Sequence, residues 1–445
     1  MLALLQRFGS HVTSFQVLEP GFSYWFDGDA CVAYFEAAGA WVAAGAPLAA
    51  ADQVGRVMGR FVEAARAEGK RARFFAIEPS VVPEGFEVLP IGARPEWDPF
   101  AWEEALKGHR SLREQIRRSK AKGVRVRTAT PEELSEGAPL REALDALIAR
   151  WLTSKPMPAM GFLVDVHPYG FAEARRCFVA EQDGRVVGFL SAVPIYTRGG
   201  WLFEDLLRDP RAPNGTPELL VDAAMRALAT EGSRFVTLGL VPLADVPQGW
   251  LRWIRDHSRW LYDFEGLRRF KGKLQPVRWS PVGLAFPKGQ SEVLAVVDAL
   301  QAFARGSFFR FGLRTVVHAA PLTARVLASL LVPWTVALAV APTATWFPSR
   351  AVQAAWVAFD VLMVGGLFWL SARWRKGLAT TLATLATADA TLTLYQAVVY
   401  NAARAKGALH WLVIGAAALA PSAASIFLWR SRGRETGSAG LQSHE

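Results

Sequence analysis

The hydrophobic positions of this chain change rhythm near residue 300. Before that point, short apolar runs alternate with stretches whose apolar residues recur at helical spacing; after it, four almost uninterrupted apolar runs follow one another. In the first part, 31–35 and 41–44 read as strands around an Ala-Gly turn, 51–68 as a helix stopped by Gly69, and 73–77 as a strand. Further on, 141–152 reads as a helix and 178–181 and 186–194 as strands. The signals agree best in 201–243. A strand-like run there ends in Glu204, Asp205 and Arg208, and a Pro-Asn-Gly turn follows. A helix comes next, with Thr216 as N-cap, Pro217 as its first residue, Glu218 in its first turn and Gly232 just past its end. Residues 235–240 read as the next strand. The four pieces make a βαβ unit, and α/β proteins commonly hold an anionic or acyl ligand at the loop and helix start of such a unit. Asn214 and Gly215 in the loop, with the charged strand end beside them, mark a candidate active site.

The four later runs, 326–341, 351–372, 377–403 and 407–429, each approach the ~20 residues that a spanning helix needs, the first only if it extends back past Arg325. Charge supports a membrane reading over a nucleic-acid one. Residues 1–300 hold 37 Lys+Arg and 36 Asp+Glu and residues 301–445 hold 13 and 4, so the net +10 divides into +1 and +9. Ten basic residues (Arg305, Arg310, Arg314, Arg325, Arg373, Arg375, Lys376, Arg430, Arg432 and Arg434) fall on one side of the four runs, and Arg350, Arg404 and Lys406 on the other. That asymmetry predicts a multi-pass protein of a bacterial-type inner membrane, with its large N-terminal region and both termini in the cytoplasm. The opening MLALLQRFGSHV lacks the features of a signal peptide. Phe308, Phe309 and Phe311, interleaved with Arg310 and Arg314, suit a lipid-headgroup boundary. Asp360 and Asp389 interrupt the second and third runs, each ~18 Å deep, and intramembrane carboxylates are functional candidates by default.

Two basic stretches break the balance of the first 300 residues. Residues 107–127 carry nine Lys or Arg against Glu114 alone, with Arg113, Arg117 and Lys120 on one helical stripe and Arg118 beside it. Residues 252–278 include Arg268, Arg269, Lys271 and Lys273, with Trp253 and Trp260 interleaved and Trp279 just beyond. Basic side chains among aromatic ones suit contact with an RNA end. Cys31 and Cys177, the only cysteines, have no metal-ligand spacing, so no metal or disulfide framework is expected. No Walker loop, GxGxxG, HExxH or GxSxG occurs, and the loop at Arg211 lacks the RxxGxG cradle for coenzyme A. No cofactor is expected.

These residues carry a resemblance. SYWFDGD, AAGAPLA, LREQIRRSKAKGVRV, EDLLRDPRAPNGTPELL, TLGLVPLA and FKGKLQPVRWSPVGLAF stand in the same order as in the catalytic domain of the aminoacyl-phosphatidylglycerol synthases, also known as multiple peptide resistance factors, over about residues 20–287. The resemblance implies tandem acetyltransferase-like (GNAT-like) α/β folds. It also implies transfer of an amino acid from aminoacyl-tRNA to the hydroxyl of a phospholipid such as phosphatidylglycerol. Asp205 and Arg208 match the family's Asp-x-x-Arg and Lys271 and Lys273 its Lys-x-Lys, with Glu204 a secondary candidate. The expected organisation is a first half 1–137, a second half 138–290 with the catalytic motif, an interfacial linker 291–322, four transmembrane helices in 323–432 and a tail 433–445. Familiar members carry a large transmembrane region before the catalytic domain, whereas the apolar runs here follow it. Two other readings of the residues stay open: a CoA-dependent or peptide-directed acyltransferase on the same fold, and a membrane transport or sensor protein with a soluble binding module.

Overall fold

The computed structural model describes residues 1–37, 39–154, 166–257, 263–304, 320–405 and 407–431. The chain divides into two compact units, Met1–Phe311 and Gly312–Glu445.

Among the described residues the first unit is built on one twelve-stranded sheet. Its strands are β1 (Ser23–Asp27), β2 (Ala30–Ala37), β3 (Ala40–Ala44), β4 (Arg71–Ile77), β5 (Phe86–Trp97), β6 (Arg125–Ala129), β7 (Arg176–Gln182), β8 (Arg185–Ile195), β9 (Gly200–Arg208), β10 (Phe235–Thr237), β11 (Val241–Pro242) and β12 (Arg278–Pro287). The helices are α1 (Leu2–Phe8), α2 (Val54–Ala67), α3 (Trp102–Gly108), α4 (Arg110–Ala121), α5 (Pro139–Thr153), α6 (Thr216–Thr230), α7 (Gly249–His257), α8 (Phe264–Lys273) and α9 (Glu292–Phe303). The strand order is β1-β2-β3-β4-β12-β5-β10-β9-β8-β7-β6, with β11 paired to β5.

One pattern occurs twice in this sheet. An antiparallel run, β1-β2-β3 or β6-β7-β8-β9, ends in a strand that crosses through a helix, α2 or α6, to a parallel neighbour, β4 or β10. Strand β12, from the end of the unit, inserts between β4 and β5 and ties the two parts into one sheet. Both faces are covered, which is why β3 is apolar at every position. Trp41 and Ala43 pack under α2 with Phe61 and Met58, whereas Ala40, Val42 and Ala44 pack on the other face with Leu5 of α1 and Ala302 of α9.

Three expectations change. The strand read over 235–240 stops at Thr237, because Gly239 takes a left-handed φ of 71° and its N–H turns back to Thr237 Oγ1. Helix α6 starts one residue early. Its N-cap is Gly215 rather than Thr216, whose hydroxyl donates to Pro213 O and lies buried beside Ser119. Residues 292–303, read as the start of a linker, form helix α9, held to the sheet by Asp298, which accepts from Arg71 and Arg73 on β4. The Phe/Arg stretch at 308–314 and the tail from 432 lie outside the described residues.

The second unit is helical: Ala320–Val340, Thr343–Trp346, Arg350–Ala372, Lys376–Gln396 and Ala408–Ser431. Three of its helices are long and apolar enough to cross a membrane, over Thr323–Val340, Arg350–Ala372 and His410–Ser431. The first does extend back past Arg325. The expected third span is a helix, but among the described residues its Lys376–Gln396 segment is too polar to count as a fourth, since it carries six threonines and Asp389. Hydroxyls of Thr380, Thr381, Thr384, Thr387 and Thr391 return to the backbone carbonyl four residues earlier, which satisfies them within the helix. Asp360 is buried and accepts from Thr335 Oγ1, and Asp389 accepts from Thr393 Oγ1.

Candidate active site

Strand β9 carries the charged motif, and its register with β8 decides where each side chain goes. Ser191 pairs with Asp205 and Ala192 with Phe203, so Glu204 is an extra residue in a β-bulge. Strict alternation would send Glu204 and Asp205 to opposite faces. The bulge turns both toward the α5 side, where Arg175 lies between Glu204 and Ser191 Oγ.

Arg175 organises this acidic cluster. It donates to Ser191 Oγ at 2.9 Å and to Gly170 O at 2.8 Å, pairs with Glu204, and sits over the ring of Phe15. The Arg175 and Glu204 side chains are only 2% and 4% exposed. Glu19, from the segment after the 3-10 turn Phe15–Leu18, reaches the same place and is buried. Both Glu19 oxygens, Glu204 Oε1 and Asp205 Oδ2 are buried with no donor in reach, so three carboxylates meet around one guanidinium. Burial pushes Asp205 up to about 8, aided by the Glu204 charge and opposed by Arg175. Burial likewise pushes Glu19 up to about 9, aided by the Glu204 charge and opposed by Arg175. The result is a buried acidic cluster that holds protons at neutral pH.

Arg208 belongs to a different environment. Leu207 packs with Leu144 and Leu147 of α5, on the Asp205 face, while Leu206 packs on the opposite, α6 face. By alternation Arg208 shares that second face, where its Nη1 donates to Asn214 Oδ1 at 3.2 Å. No Asp205–Arg208 ion pair forms. Gly215 opens α6 with φ 94°, and a Cβ there would lie 2.2 Å from Gln115 O of α4. The α6 N-terminus is thereby pressed against α4, and its helix dipole favours an anion beside Arg208 and Asn214.

The two candidate lysines also separate. Lys273 is partly exposed and bonds Glu218 Oε1 at 2.7 Å, with Gln115 as a second partner, so it stands at the α6 N-terminus. Lys271 is buried, and its Nζ donates to Leu238 O, Gly239 O and Leu240 O at 2.6, 3.2 and 3.1 Å. Burial lowers it to about 7. Three carbonyls match the three donors of an ammonium group, so Lys271 pins the β10–β11 loop.

The basic stripe on α4 is less free than its sequence implied. Arg113 closes the end of α3 through Leu106 O and Lys107 O, Arg117 pairs with Glu114 at 2.9 Å, and Lys120 lies 3.7 Å from Asp222. Arg113, Arg117 and Lys120 still line a groove of about 410 Å³ between α3, α4 and α6. Arg118 and Arg269 are exposed and make no ion pair among the described residues. Arg268 pairs with Asp245 at 3.0 Å and stacks on Trp279, and Trp260 lies outside the described residues. Sequence reasoning missed Glu19, Arg175 and Ser191. Nothing local marks them, because they reach Asp205 only through tertiary packing.

Comparison with known proteins gives the family of the chain. The chain is 29% identical over 161 residues to the phosphatidylglycerol lysyltransferase of Bacillus subtilis (strain 168), covering 34% of this chain and 18% of that protein. It is 28% identical over 249 residues to a lysylphosphatidylglycerol biosynthesis bifunctional protein of Nocardia farcinica (strain IFM 10152), covering 51% of this chain and 21% of that one. The matches thus span about a fifth of the length of these curated relatives. Among solved structures, the C-terminal domain of a putative lysylphosphatidylglycerol synthetase from Agrobacterium fabrum shares the fold, with TM-score 0.60, 22% identity and coverage of 69% of this chain and 96% of that one. L-PGS from Bacillus licheniformis superposes similarly, with TM-score 0.59, 21% identity and coverage of 71% and 96%. Residues 2–286 match the family model for the phosphatidylglycerol lysyltransferase C-terminal domain, and the chain belongs to that family.

Proposed function

We propose that this protein moves an amino acid from an aminoacyl-tRNA to the hydroxyl of a membrane phospholipid such as phosphatidylglycerol. The reaction is ester exchange: the lipid hydroxyl attacks the activated ester carbonyl, a C–O bond to the lipid forms, the bond to the terminal ribose breaks, and the hydroxyl proton passes to the departing ribose oxygen. The protein then has to align two large substrates, relay one proton and stabilise one oxyanion. The observation that carries this reading is Asp205, buried, held near 8 and with a free Oδ2 among Glu19, Glu204 and Arg175. A carboxylate of that acidity is suited to relay the proton at neutral pH, and its acidic neighbours suit the substrate amino group. On the other face, Arg208, Asn214, the α6 N-terminus and Lys273 are suited to a phosphate of the lipid or the RNA. Arg117, Arg118, Lys120 and Arg269 are suited to the RNA backbone. The names of the relatives support lysine as the transferred amino acid and phosphatidylglycerol as acceptor. The apolar helices and the ten-to-three basic asymmetry support an inner-membrane enzyme whose first unit faces the cytoplasm. Its lipid product, less anionic than its precursor, would weaken the attraction of cationic antimicrobial peptides to the membrane.

The test is mass spectrometry of lipids from a host lacking aminoacylated lipids, with and without the gene. A new aminoacyl lipid that disappears in Asp205→Asn supports the reading. No new lipid, together with acyl transfer from coenzyme A by the purified protein, overturns it.

A further inference from the structure

We propose that the outward face of α7 and α9 is a docking surface for an anionic lipid bilayer. Helix α9 is amphipathic in an inverted sense. A surface helix normally buries its large apolar residues and exposes polar ones. Here Ala295, Ala299 and Ala302 face the sheet with Asp298, whereas Val293, Leu294 and Leu300 remain 57%, 39% and 50% exposed. The same surface continues onto α7. Leu251 of α7 belongs to the same buried cluster as Ala295 and Ala299 of α9, so both helices cover the β5–β12 part of the sheet. Trp253 and Ile254 of α7 are 62% and 37% exposed, and Arg252 is exposed beside them. Lys288, just before α9, adds a second exposed cation. Aliphatic side chains with tryptophan and arginine suit the boundary between acyl chains and headgroups, and Arg252 and Lys288 favour anionic lipid, against the exposed Asp256 and Glu292 on the same helices.

Chain length argues for a bilayer as the occupant. Helix α9 ends at Phe303 and the next described helix begins at Ala320, leaving 304–319 between them. Those residues span at most ~58 Å when fully extended. The end of α9 is therefore joined by a short length of chain to helices apolar enough to cross a membrane. The sheet side of α9 is already filled through Asp298 and its two arginines, so its apolar outer face is left for lipid. This surface stands apart from the transfer chemistry, and either idea can fail without the other.

The experiment uses the full chain reconstituted in vesicles of phosphatidylglycerol and phosphatidylethanolamine. Single labelling sites are made by Val293→Cys, Leu300→Cys and, as reference, Glu63→Cys, which lies exposed on α2 across the sheet. Cys31 and Cys177 are buried and leave the added thiol as the reactive one. An environment-sensitive fluorophore at 293 and 300 should shift to the blue and lose most of its emission to lipids carrying a bromine or nitroxide quencher, while the label at 63 keeps its emission. A change of Trp253→Ala should reduce the quenching at 300. Equal, weak quenching at all three positions overturns the proposal. So does disulfide cross-linking between two copies through Leu300→Cys without lipid quenching, which would assign the face to a second copy.

Discussion

Asp205 and Arg208, three residues apart on β9, project from opposite faces of the sheet. Leu207 beside Asp205 packs on α5, and Leu206 in phase with Arg208 packs on the α6 side. The charged strand end is therefore two environments back to back. One is a buried acidic cluster around Arg175, and the other is an anion-favouring helix start with Arg208, Asn214 and Lys273. In the proposed reaction, a substrate pair that brings an amino ester and a phosphate would use both.

Replacing Asp205 with Asn keeps the shape and removes the proton acceptor. Lipid aminoacylation by this variant should fall by ~10²- to 10⁴-fold, the usual worth of a positioned acid–base group. In the parent protein the rate should rise with pH and level off above about 8, as Asp205 loses its proton. Rates measured from pH 6 to 10 check both points, and a flat profile would count against Asp205 as the base.

The same cluster ties stability to pH. Glu19 and Asp205 are raised to about 9 and about 8, so the folded protein keeps protons that the unfolded chain has already released. Their stabilising contribution is complete below ~4, the ordinary carboxyl range, and is lost as pH rises through the folded-state values. Thermal unfolding midpoints should fall between pH 5 and 9 and fall less in Asp205→Asn, which stays neutral throughout.

Lys271 and Lys273 should behave differently despite their shared motif. Lys271→Met orphans three buried carbonyls at Leu238–Leu240 and should cost ~1–3 kcal/mol or more of stability. Lys273→Met removes the cation paired with the buried Glu218 carboxylate, so it should lower the unfolding midpoint and, unlike Lys271→Met, also raise KM for a substrate. Paired unfolding and kinetic measurements separate the two.

Gly215→Ala should be costly. At φ 94° a side chain is strained by ~1–3 kcal/mol, and its Cβ would also meet Gln115 O at 2.2 Å. A lowered unfolding midpoint, with a larger loss of activity than of stability, is the expected result if the α6 N-terminus holds a phosphate.

In the proposed reaction Arg118 and Arg269, exposed and without an ion pair among the described residues, would meet the RNA backbone. Each change to Gln should weaken tRNA binding and flatten the dependence of log affinity on log salt by ~0.7–0.9 for every phosphate that is no longer neutralised. An unchanged slope would mean that neither side chain touches the RNA backbone.

Much of the fold was legible in the chain because periodicity and turn chemistry act over a few residues. Strands β2, β3, β4, β7 and β8, helices α2, α5 and α6 and the apolar character of the second unit all follow from such local rules. The exceptions have local causes too. Gly239 ended β10 early, and six threonines lowered the hydropathy of the Lys376–Gln396 helix while bonding within it. Asp205 was visible as a candidate, but its neighbours were not. Glu19 and Arg175 lie 186 and 30 residues away along the chain: the Phe15 turn packs on β8 and β9 and carries Glu19 in, and the β7–β8 pairing sets Arg175 beside Ser191. One extra residue in β9 then turns Glu204 to the same face, while plain alternation sends Arg208 to the other. Short-range patterns thus set the elements and the charged motif. The bulge and the strand pairing, which no such pattern encodes, decided which charges share a buried site.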